Sequence, residues 1–143
     1  MVGVPLPTGV VPVAVPATVA LAGHEDDLAA KKFRISRDKA AIYVYRNEFL
    51  GSATALPVFV DGRFRGGTAY RTYIYVEVAA GQHSVTSKSA EDETSVVVDA
   101  VPGQAYFVWQ EIKRGWTSPG SLLHLVDEST GRAGVLESRM IAF

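Results

Sequence analysis

Cysteine is absent from the 143 residues, and with it go disulfides, thiolate nucleophiles, iron–sulfur clusters and thiolate zinc sites. An excess of either charge is also missing. The 14 basic and 15 acidic residues are scattered, which offers no electrostatic footprint for nucleic acid or an anionic membrane surface. Charge is missing altogether from Met1 to Gly23, and no Lys or Arg occurs before Lys31, so this stretch lacks the basic start of a secretory signal. Pro5, Pro7, Pro12 and Pro16 each remove an amide donor there, which argues against a transmembrane helix. A degenerate leader stays open as an alternative.

What the first 23 residues do have is a two-residue rhythm. Val2, Val4, Leu6, Thr8 and Val10 share one phase; after a one-residue slip, Val11, Val13, Val15, Ala17, Val19 and Leu21 share the other. Period two belongs to strands, so residues 1–23 read as an extended apolar arm. Residues 24–39 read as a charged spacer holding one short helix. Glu25, Asp26 and Asp27 lie where the positive end of the helix dipole would be, and Lys31 and Lys32 at the negative end. Phe33 and Ile35 are its expected anchors. Residues 40–143 are expected to form one domain, since 48% hydrophobic residues suffice for a core without metal or disulfide.

Within that domain the period stays two. Ala40 to Arg46 sets Ile42 and Val44 against Tyr43 and Tyr45, and Thr72 to Val78 sets Ile74, Val76 and Val78 against Tyr73 and Tyr75. Strands over Ala53–Val60 and Arg63–Arg65 flank Asp61-Gly62, a strong signal for a type I′ hairpin. Gly66-Gly67 reads as a bulge or bend rather than a phosphate cradle, because a strand and not a helix follows. His83–Lys88, Thr94–Asp99, Gln104–Ile112 and Ser121–Val126 complete the strands. The run Val96, Val97, Val98 predicts burial on both faces, and Pro102-Gly103 predicts a turn. Asp127 caps a predicted short helix that Gly131 and Gly134 weaken. Seven or eight short strands with no helices between them predict an all-β, antiparallel Ig-like sandwich with one or two short helices.

From about Ala40 onward the chain resembles the DUF2846 family of bacterial envelope lipoprotein-like domains. The resemblance rests on Ala41-Ile42-Tyr43-Val44-Tyr45-Arg46-Asn47-Glu48, on Val60-Asp61-Gly62, on Glu77-Val78 with Gly81-Gln82-His83, on Tyr106-Phe107-Val108-Trp109-Gln110-Glu111, and on Leu125-Val126-Asp127-Glu128. Residues 58–85 also resemble a PEGA-type hairpin module. The resemblance implies a sandwich and an envelope or extracellular location, and no chemistry. Leu21-Ala22-Gly23 matches a lipobox, but His24 stands where the lipid-bearing cysteine belongs, so no lipid anchor forms there.

No catalytic, cofactor or metal site is expected. His24, His83 and His124 are too far apart in sequence for a zinc motif, no nucleophile elbow frames Ser84 or Ser121, and Asp92 and Glu93 fall in a polar loop. Two surfaces are candidates instead. The arm, through Val2, Val4, Leu6, Val10, Val11, Val13, Val15, Val19 and Leu21, suits strand addition to a neighbouring copy, giving a homo-oligomer or filament. Tyr43, Tyr45, Tyr73 and Tyr75, with Trp116 in a loop, suit a glycan or protein partner of a monomeric binding module, although cross-strand packing is their commoner use.

Overall fold

The computed structural model describes residues 19–49, 54–90, 92–113 and 120–143. In chain order these form α1 (His24–Ala30), β1 (Lys39–Arg46), β2 (Leu56–Val60), β3 (Arg63–Thr68), β4 (Thr72–Ala79), β5 (Gly81–Lys88), β6 (Glu93–Ala100), β7 (Ala105–Lys113), β8 (Gly120–Val126), α2 (Glu128–Leu136) and β9 (Arg139–Met140). Two sheets stack, one ordered β8-β7-β1-β4-β9 and the other β3-β2-β5-β6. The predicted sandwich is therefore present.

Its strands are not all antiparallel. β1 runs antiparallel to β4 (Ile42 opposite Val76) but parallel to β7 (Val44 opposite Val108), and β9 runs parallel to β4. A parallel pair needs a long crossover, and between β1 and β7 that crossover passes through all four strands of the opposite sheet. Because that crossover is built of strands and not of a helix, it leaves no βαβ pattern in the sequence.

Alternation along β1 and β4 sends Ile42, Val44, Ile74 and Val76 between the sheets, where they meet Val58, Val60, Val85 and Val98. The opposite face overturns the proposed tyrosine platform. Tyr43, Tyr45 and Tyr73 are 1%, 3% and 0% exposed, and Tyr75 is half-buried. They form a second core with Phe107, Ala30 and Val135, against which Phe33 and Ile35 pack as anchors. Periodicity separates two faces of a strand without saying what covers either; here the two helices do, making a third layer.

Helix α2 sits directly on this aromatic layer. Asp127 caps it, accepting from the Thr130 N–H at 2.8 Å. Gly131 and Gly134 face the sheet, and a Cβ at either position would overlap the ring of Phe107 or Tyr45. The glycines that weaken the helix intrinsically are what lets it approach.

The two turn motifs take their expected forms. Asp61 and Gly62 both have positive φ, 51° and 78°, as a type I′ turn requires. The Gln104 N–H closes the Pro102-Gly103 turn on Val101 O at 3.2 Å. Gly66, at φ 128°, sits at a bulge where the β2–β3 register shifts. The β6 expectation is corrected: Val97 is 49% exposed and only Val98 and Ala100 are buried, because β6 is an edge strand with one face in solvent.

Candidate functional site

Of the arm, Val19 and Leu21 lie among the described residues; Val2, Val4, Leu6, Val10, Val11, Val13 and Val15 lie outside them, as does Trp116. What is described behaves as a strand. Leu21 stands opposite Ile141 in an antiparallel bridge, the Ala22 N–H donates to Met140 O at 2.9 Å, and the Ala142 N–H donates to Ala20 O at 2.9 Å. Val19 packs against the core between the sheets. Residues 20–22 thus add one more ribbon outside β9.

Beside this ribbon lies an apolar groove of about 380 Å³ between the two sheets' edges, lined by Val19, Ala55, Pro57, Phe64, Gly67 and Phe143 among others. Its floor depends on the bulge glycine, since the Cδ1 of Ile141 occupies the space that a Cβ on Gly66 would need. Phe64 and Phe143 face each other at 6.3 Å and are 52% and 78% exposed.

Asp27 fixes the route into the ribbon. Its carboxylate is buried on α1 and accepts from Tyr73 Oη at 2.8 Å, Lys31 Nζ at 2.9 Å and the Met140 N–H at 3.1 Å. Lys31 also donates to Ser138 O at 2.6 Å. Burial alone would raise the Asp27 pKa, but the bonds from Lys31, Tyr73 and Met140 together outweigh it and hold the carboxyl below its ordinary range. The same surroundings push the Tyr73 hydroxyl well up, through burial first and the Asp27 carboxylate second. The sequence marked residues 24–39 as a spacer and missed this clasp, because an acidic residue in a first helical turn reads as dipole compensation.

At the C-terminal end of β1, the motif residues of β1 and β7 gather on both faces of the sheet. Inward, buried Arg46 donates through Nη1 to Thr68 O at 2.7 Å and Thr54 O at 2.8 Å; burial pushes its pKa down to about 10, against the opposing charge of Glu48. Thr68 Oγ1 donates to Gln110 Oε1, Gln110 Nε2 donates to Ser87 Oγ at 2.7 Å, and the Ser87 and Ser121 hydroxyls hydrogen-bond to each other at 2.6 Å. Outward, Trp109 stacks on His124 at 5.1 Å and donates Nε1–H to Asn47 Oδ1 at 3.0 Å, while His124 Nε2 lies 2.9 Å from Glu111 Oε1. This outer group was not singled out from sequence, although Trp109, Glu111 and Asn47 all lie in the stretches quoted for the family resemblance.

His83 pins the hairpin turn. Its Nδ1 is 2.6 Å from Asp61 Oδ2 and its Nε2 is 2.7 Å from Ala79 O, and the Ser84 N–H donates to Asp61 Oδ1 at 2.9 Å. The bond to Asp61 raises the His83 pKa, and the bond from His83 lowers that of Asp61. The three histidines lie on α1, β5 and β8, and among the described residues no three His, Asp or Glu side chains come together as a metal site.

A family model described as a protein of unknown function, DUF2846, matches residues 36–121; the ribbon, α1, α2 and β9 fall outside that match. An uncharacterized protein of Haemophilus influenzae is 29% identical over 125 residues, spanning 87% of this chain and 74% of that protein. No solved structure matches.

Proposed function

The chain belongs to the DUF2846 family, and from that premise, which brings no activity with it, we propose a non-enzymatic structural protein of the bacterial cell envelope or surface. Its N-terminal segment pairs as a strand with a neighbouring copy. The observation that carries this reading is the hydrogen-bonded ribbon of residues 20–22 against 140–142, where the alternating segment already works as a strand. Length supports a reach beyond the domain. Eighteen residues precede Val19 and would span about 60 Å if extended, whereas β7, at nine residues, is the longest strand among those described. Such a segment outruns any of those strands. Donation from copy to copy builds a filament unless the rotation closes a ring.

The test compares solution masses of the full chain and of a chain starting at Val19, which keeps the described ribbon. The full chain is expected to associate in a concentration-dependent way and the shortened one to be monomeric. Equal monomeric masses overturn the proposal. The envelope location rests on the resemblance to lipobox-bearing proteins; recovery of the native protein in the cytosolic fraction overturns it.

A second reading, a monomeric envelope binding module whose first 23 residues are a leader, draws on the Trp109–His124 stack, which stands on the sheet face with both residues partly exposed. Rings beside a carboxylate and an amide suit a glycan or a polar protein surface. His124→Ala is then expected to lower binding to a glycan array at least severalfold, and an unchanged array profile removes the cluster from consideration.

A further inference from the structure

The groove and the arm's change of phase bear on one another. The described chain begins at the groove, with Val19 and Ala20 in its lining, so residue 18 and those before it start there. Side chains of an extended chain alternate. Val19 packs on the core between the sheets, and Ala17, Val15, Val13 and Val11 share its phase. Ala20 and Ala22 direct their backbone groups at Met140 and Ala142. Pro12 and Pro16 fall on the same even positions and have no amide with which to continue that ladder, which leaves the apolar side chains of the odd positions as the means of contact. At Val10-Val11 the rhythm slips, and Val2, Val4, Leu6 and Val10 take the opposite phase.

We infer that residues 11–18 fill the groove of their own domain, with Val13, Val15 and Ala17 against the wall formed by Ala55, Pro57 and Gly67. The slip then turns the apolar side of residues 2–10 outward, and those residues are the part that pairs with a second copy. The groove's apolar walls and the exposed Phe64–Phe143 pair suit such a cover. Its own chain takes the groove ahead of a neighbour because the tether at Val19 holds residues 11–18 at an effective concentration of order millimolar. The division of labour between the two blocks rests on the strand-pairing function; occupation of the groove does not.

The absence of native cysteine makes disulfide trapping direct. In the full chain, Ala55→Cys on the groove wall is combined in turn with Val15→Cys or Ala17→Cys, which are in phase, and with Ala14→Cys or Thr18→Cys, which are not. On mild oxidation the in-phase pairs are expected to close within one chain severalfold faster than the others, at a rate that dilution leaves unchanged. Equal rates in both phases, or disulfides only between chains, overturn the inference. Should an Ala55→Cys variant misfold, Phe143→Cys at the groove mouth carries the same series. Mass in solution separates the two proposals: intrachain bonds in a monomer overturn strand exchange and leave the groove assignment standing, and interchain bonds in an assembled protein do the reverse.

Discussion

A methyl group at Gly134 has nowhere to go, since the ring of Tyr45 already fills the space. Alanine would improve helix propensity by about 1 kcal/mol, but overpacking a filled core typically costs about 1–3 kcal/mol. Gly134→Ala is therefore expected to lower stability, by up to about 2 kcal/mol, in urea denaturation; a gain would show that α2 can lift off the sheet. His83 makes a pH prediction. Both ring nitrogens face acceptors, Asp61 Oδ2 and Ala79 O, and only the imidazolium carries two N–H donors. Its pKa is raised in the folded chain, so the stability it contributes is full below the unfolded value of about 6.5 and is lost as pH rises through the folded value. Asp61, with its lowered pKa, contributes above the unfolded carboxyl value and loses its share as pH falls through the folded one. Thermal melts from mildly acid to mildly alkaline pH should show the decline, and His83→Gln should flatten it. The Asp61-Gly62 turn and the Asp127 cap are legible in sequence because each is a local interaction. The purposes of His83 and Gly134 are not, because their partners stand on other elements of the fold.

Among the elements, α1 depends most on a single side chain. It is seven residues long, too short to persist alone, and Asp27 ties it to β4 and β9. Asp27→Asn removes the charge that Lys31 and Tyr73 answer, and hydrogen bonds to charged groups are worth about 1.5–3 kcal/mol. The expected loss is about 2 kcal/mol. Because the Asp27 pKa is lowered, this contribution stands above the unfolded carboxyl value and disappears as pH falls through the folded one. Hydrogen exchange checks the location: the amides of residues 27 and 140 should lose protection before those of β1, and uniform loss across the domain would contradict a local clasp. The sequence disclosed most strands, both helices and the inward set Ile42, Val44, Ile74 and Val76, since period and capping are written in neighbouring residues. It hid the cover on Tyr43 and Tyr45, the parallel β1–β7 pairing, and the Arg46–Thr68–Gln110–Ser87 chain. Each of those joins residues on different elements, which meet only once the chain has folded.

At the scale of the whole molecule, the family match and the complete fold differ in what they bury. A chain cut to residues 36–126 would keep both sheets' strands β1 to β8 and the core between them, but would bare Tyr43, Tyr45, Tyr73 and Phe107 by losing α1 and α2. It is expected to bind a hydrophobic dye and to lose its near-ultraviolet aromatic signal, as loosely packed states do. A cooperative melt from a dye-free monomer would show that the helical layer is dispensable. The pairing of β1 with β7 has a consequence for how the protein is made. Ala41 must wait for Ala105 before the centre of its sheet can close, and at about 5–20 residues per second on the ribosome that delay is several seconds. The ribbon of residues 20–22 waits longer still, until Met140 and Ala142 have emerged. The nascent chain therefore keeps the β7-facing edge of β1 unpaired after β4 has closed its other edge, and an open strand edge is where association with another chain would begin.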